Sequence, residues 1–143
     1  MGIAYEQDIV AWANEQAAHV RAGRFELLDL EHIAEEIEDV GKSEQRELAS
    51  RMIVLLAHLL KWQYQPARRG ASWKATISAQ RMDIALVLKE TPSLKTRLNN
   101  EEWLAVVWAK AVAQAIDETG LDSFPQIIQW KLAYVLKDGW LPE

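Results

Sequence analysis

The chain has 143 residues, 50% hydrophobic and 26% charged, with 16 Lys and Arg, 21 Asp and Glu, and no cysteine. That is the size of one domain with one substantial core, and it excludes a disulfide framework, thiolate zinc sites and cysteine nucleophiles. The net charge of −5 gives no general attraction to nucleic acid or anionic lipid.

Helical spacing runs along the whole sequence, with no alternating strand pattern. Tyr5, Ile9, Trp12, Gln16 and Val20 share a face, which predicts a first helix from about Tyr5 to Ala22 with Gly23 as its left-handed stop. Asp29 reads as the N-cap of a second helix that carries Leu30, Ile33, Ala34, Ile37 and Val40 inward and ends at Gly41. Ser43 reads as the cap of a third helix reaching about Trp62. Its stripe of Leu48, Met52, Leu55, Leu56, Leu59 and Trp62, widened by Ile53 and Leu60, marks it as the central helix. A loop over 65–71 follows. Ser72 is then expected to cap a fourth helix to about Glu90, packed through Trp73, Ile77, Ile84 and Leu88. Thr91-Pro92 opens a short helical turn through Leu98. A long helix from about Glu101 is stopped by Gly120, and its alanines 105, 109 and 113 offer close approach to a neighbour. Pro125 opens a last helix to about Lys137, and Trp140-Leu141 dock the tail. The expected fold is all-α: a compact single-domain helical bundle of about six helices spanning 1–143.

The start MGIAYEQDIV lacks the basic and apolar regions of a signal peptide. The longest apolar stretch, Met52 to Leu60, is far short of the ~20 residues of a membrane span. A soluble, cytoplasmic protein with no membrane partner is expected.

Several segments in order carry a resemblance. They are Tyr5-Glu6-Gln7-Asp8 with Trp12, Arg21-Ala22-Gly23, Leu28-Asp29-Leu30, and Glu35 through Gly41. They continue with His58-Leu59-Leu60-Lys61-Trp62, Gln65-Pro66, Ser72-Trp73, Thr76-Ile77, Gln80-Arg81, Pro92-Ser93-Leu94, Glu118-Thr119-Gly120-Leu121 and Phe124-Pro125. Together they resemble the bacterial "domain of unknown function 29" family over nearly the whole chain. The resemblance implies a small helical fold and leaves activity open. After Phe124-Pro125 the family pattern has a cysteine-proline pair, where this chain has Gln126-Ile127, so a role for that cysteine cannot apply.

Four constellations could carry chemistry. Asp29, Glu31, Glu35, Glu36, Glu38 and Asp39 crowd the second helix. They read as a solvated acidic face, or as carboxylates for a divalent cation. His58 is the one polar residue within 53–60. It reads as a hydrogen-bonded boundary histidine, or as a metal ligand joining Glu36 and Glu38. His32 points outward on the wheel. Arg81 falls inside an apolar face and needs partners there, which predicts a structural ion-pair network of Glu36, Glu38, Arg51, His58 and Arg81. Lastly, the segment 61–74 is basic and aromatic and leads into a helix start. Arg68, Arg69, Ser72 and Lys74 could bind an anion or single-stranded nucleic acid there, or form a solvated loop.

The seven tryptophans suit core packing first. Trp108, Trp130 and Trp140 are the least obviously internal, and an exposed patch of them would suggest a protein partner. No phosphate loop, dinucleotide fingerprint, nucleophile elbow or zincin helix is present, and no cofactor is indicated. The expected function is a non-catalytic protein-interaction or accessory module, with a protein partner or a second copy. The alternatives are an anion or nucleic-acid binder at Arg68 to Lys74, and a metal-dependent enzyme at Glu36, Glu38 and His58.

Overall fold

The structure, a computed structural model, describes residues 2–143, and every regular element among them is helical. Two compact units form, Met1–Glu44 and Gln45–Glu143.

In the first unit, α1 (Ile9–Ala22) begins later than the apolar spacing suggests. Asp8 takes the N-cap in an extended conformation and accepts from the Ala11 amide at 3.0 Å. A short polar side chain at that point fixes the boundary more firmly than periodicity does. Gly23 ends the helix at φ +72°, the left-handed stop expected of it. A 3₁₀ turn at Phe25–Leu27 leads to α2 (Leu30–Tyr64). Asp29 stands at the start of α2 and accepts weakly from the His32 amide at 3.4 Å.

The expected break at Gly41 does not occur. One helix replaces the predicted second and third, and Ser43 is interior rather than a cap. A glycine inside a helix costs only about 1 kcal/mol relative to alanine. It stops a helix where it turns left-handed, and Gly41 has no positive φ.

The second unit has the core. The later part of α2 gives Leu48, Met52, Leu55, Leu56, Leu59 and Leu60, all essentially inaccessible. This is the central stripe the sequence predicts. Against it pack Ile77, Ile84 and Val87 of α3 (Ala71–Glu90), Leu94 of a 3₁₀ segment at Pro92–Asn99, and Val107, Trp108, Ala111 and Ala115 of α4 (Glu101–Thr119). On α4 the alanines at the interface are 111 and 115, while 105, 109 and 113 are exposed. Asn100 caps α4 by accepting from the Trp103 amide at 2.9 Å, and Gly120 ends it at φ +75°.

Two further expectations are corrected. Ser72 does not cap α3, because Gly70 holds that position without a side-chain bond. The helix expected from Pro125 shrinks to α5 (Leu132–Val135). The preceding stretch is tied to the core instead: the Trp108 indole donates to the Pro125 carbonyl at 2.9 Å, and Trp130 sits edge-on to Trp108 at 5.6 Å. All seven tryptophans are buried or half-buried, so Trp108, Trp130 and Trp140 form no exposed patch. Among the described residues, no helix is long and apolar enough to cross a membrane.

Candidate functional site

The first unit holds a dense polar and aromatic cluster. On α2, Asp29, His32 and Glu36 follow i, i+3, i+7 spacing and share a flank. Tyr5 and Trp12 face them from the N-terminal turn and α1. His32 Nδ1 lies 2.7 Å from Asp29 Oδ2, and its Nε2 lies 3.1 Å from Glu6 Oε1. Trp12 Nε1 donates to the same Asp29 oxygen at 3.0 Å, and Gln16 Oε1 accepts from the Asp29 amide at 2.8 Å. Tyr5 donates to Glu36 and stacks on the His32 ring at 4.2 Å, with 12° between planes.

With a carboxylate beside each ring nitrogen, the surroundings of His32 favour its imidazolium form. The hydrogen bond to Asp29 pulls its pKa above the ordinary value, and the Asp29 and Glu6 charges outweigh the opposing effect of burial together with that bond. The same bond draws the Asp29 carboxyl below its usual range. The hydrogen bond to Glu36 keeps the Tyr5 phenol protonated, with its pKa pushed up to about 12. A histidine with both nitrogens engaged is a poor general base. The cluster is built to hold α1 on α2.

His32 is therefore half-buried and bonded, against the outward position expected for it. The usable signal was the 29-32-36 spacing together with Tyr5 and Trp12 seven residues apart.

Beside this cluster the hairpin is open. Leu30, Ile37 and Val40 are 69%, 67% and 67% exposed, against the inward face expected for them. Val20, Ile33, Ile37 and Val40 line a groove of 290 Å³, together with Trp12 and Glu36. Glu38 and Asp39 are exposed. A second recess of 500 Å³ has Trp12, Glu15, Gln16, His19 and Asp29 among its walls.

In the second unit, His58 Nδ1 lies 2.9 Å from the Val54 carbonyl oxygen one turn earlier. Burial lowers its pKa, so the ring is neutral near pH 7. Lys61, buried on the same helix, pairs with Glu118 of α4, and its Nζ is 3.5 Å from His58 Nε2. Burial works against ionisation of Glu118, but hydrogen bonds from Lys61 and Gln114 outweigh it and lower its pKa. Arg51 pairs with Asp83 at 2.8 Å and Glu47 at 3.2 Å.

Arg81 is 6% exposed and donates to the Val135 and Trp140 carbonyls at 2.9 and 2.7 Å. The predicted network members thus bond elsewhere: Arg51 and Arg81 within the second unit, Glu36 to Tyr5. Glu38 has no ion pair among the described residues. No group of three or more His, Asp or Glu side chains suited to a metal ion is found among the described residues.

The basic segment is partly engaged internally. Arg69 and Lys74 lie over the Trp62 ring at 5.3 and 5.6 Å, and Arg69 donates to the Trp62 and Glu143 carbonyls. Arg68 and Ser72 are exposed.

The family described as "Domain of unknown function DUF29" matches residues 4–141. The chain belongs to this family. No curated protein and no solved structure matches it. The matched span takes in Tyr5 and Trp12 at one end and Trp140 at the other, so the N-terminal cluster and the Arg81-held tail both lie within the family's extent. Membership assigns no reaction.

Proposed function

We propose that the chain is a non-catalytic accessory module whose N-terminal hairpin receives a cationic amphipathic helix from a partner protein. The observation that carries this is the open apolar groove lined by exposed Ile37 and Val40, with Leu30 also exposed on the same acidic unit. Exposed apolar surface of this kind, rimmed by charge, suits a helix laid into a groove. Charge selects the partner. Residues 1–44 hold eleven Asp and Glu against three Lys and Arg, a net −8, and the remaining residues hold ten against thirteen, a net +3. Two copies meeting through this hairpin would bring two strongly acidic units together, which is unfavourable at ordinary ionic strength. A basic helix gains from both the groove and its rim.

The test uses two synthetic helical peptides of the same leucine pattern, one with lysine and one with glutamate on the polar face. The lysine peptide should bind and raise the Tm, and Ile37→Glu should abolish binding. Ile37 is exposed, so this change should leave unfolding within about 0.5 kcal/mol. Binding of neither peptide, equal binding of both, or self-association lost in Ile37→Glu would overturn the reading.

A further inference from the structure

Lys74, Ile77, Ser78 and Arg81 fall at i, i+3, i+4 and i+7 on α3, and so form one stripe of that helix. The chain end crosses this stripe, and Lys74, Ile77, Ser78, Arg81, Asp138 and Leu141 line a recess of 280 Å³ between them. Gly139, at φ +82°, turns the backbone along its wall.

The charges here do not close. Arg81 is 94% buried, yet both its recorded partners are neutral carbonyls, and no carboxylate forms an ion pair with it among the described residues. Burial lowers its pKa, and Asp138 offsets this only from beyond ion-pair distance. Lys61, the other buried cation of this unit, is by contrast paired with Glu118. A buried cation without an anion is costly and is normally compensated.

We propose that this recess binds a small tetrahedral oxyanion of phosphate type, held by the Arg81 guanidinium, the Lys74 ammonium and the Ser78 hydroxyl. The recess has room for an ion or a single phosphoryl group, and its charged lining selects an anion. Arginine supplies a planar fork and lysine a mobile point charge, the usual pair around such oxygens. Asp138 sets the affinity from below, because its carboxylate repels the ligand. This site is independent of the N-terminal groove.

Arg81 itself is a poor variant, since it also holds Val135 and Trp140. The test is a titration of the full chain with inorganic phosphate at constant ionic strength, read by amide NMR shifts. Saturable shifts should appear at Ser78 and Gly139. Lys74→Gln should weaken binding by about tenfold, the loss of one charge-assisted contact, Ser78→Ala should weaken it less, and Asp138→Asn should tighten it. Acetate, with two oxygens and one charge, should bind more weakly than phosphate. The proposal fails if phosphate gives no saturable shift at these amides. It also fails if Lys74→Gln and Asp138→Asn leave the affinity unchanged, or if acetate binds as tightly as phosphate.

Discussion

Arg81 Nη2 donates to the Trp140 carbonyl oxygen at 2.7 Å, so a side chain of α3 holds the end of the chain. Its Nε does the same for Val135 in α5 at 2.9 Å. Arg81→Met removes two charge-assisted bonds and leaves buried carbonyls without donors. A loss of about 2–4 kcal/mol is expected. Urea unfolding measures it, and limited proteolysis should cut first after Lys131 or Lys137. A variant as stable and protease-resistant as the parent would show that packing alone secures the tail.

The pair of His32 and Asp29 gives the first unit a pH window. The folded pKa of His32 is raised, so its stabilisation is complete below the ordinary 6.5 and is lost as pH rises through the raised value. The folded pKa of Asp29 is lowered, so its stabilisation is present above the ordinary 3.8 and is lost as pH falls through the depressed value. Amide exchange in α1 should therefore be slowest, corrected for intrinsic rates, between those ordinary values. Asp29→Asn should bring the His32 titration back toward 6.5. An imidazole that titrates at or below 6.5 in the parent protein would contradict the bonded geometry.

Lys61 and Glu118 should show strong energetic coupling. Glu118→Gln strands a buried ammonium and should cost about 1–3 kcal/mol, less than the ~3–5 kcal/mol of a fully buried pair because Glu118 remains partly hydrated. Lys61→Met leaves a carboxylate that water can reach and should cost less. The double variant should cost less than the two singles together. Additive costs in the double-mutant cycle would mean the two side chains act independently.

Two glycines should respond in opposite directions to alanine. Gly41 is helical, and an added Cβ meets nothing within 4 Å, so Gly41→Ala should stabilise by about 0.5–1 kcal/mol. Gly120 has φ +75°, where a side chain is strained, so Gly120→Ala should destabilise by about 1–2 kcal/mol. Thermal melts compare them directly, and a stabilising Gly120→Ala would refute the left-handed stop.

The same two glycines mark what sequence could and could not deliver. A glycine after a helical run signals a stop, but a left-handed turn forms only where the following chain has somewhere better to go. After Gly120 the chain leaves to pack Phe124 and Trp130 against the core. After Gly41 the helix simply continues. The stripe from Leu48 to Leu60 was legible because it repeats a pattern over several turns. The helix expected from Pro125 was not, because a single indole bond at Pro125 and aromatic contacts at Trp130 decide that segment. For the site, Arg81 was legible as a buried charge, since its position in an apolar face fixes its burial. Its carbonyl partners, more than fifty residues away in the chain, leave no local trace. The stripe of Leu30, Ile37 and Val40 was misread as core because periodicity shows that a face is apolar and does not show what covers it.

The rings of Trp108, Trp130 and Trp140 form an edge-to-face chain, with centroid separations of 5.6 and 5.8 Å, and Tyr134 stacks on the last ring at 6.0 Å. Indoles this close share their electronic transitions. The near-ultraviolet circular dichroism of this protein should therefore contain a coupled band whose sign and size depend on the tail remaining docked. Release of the tail would then be visible optically, with no label attached.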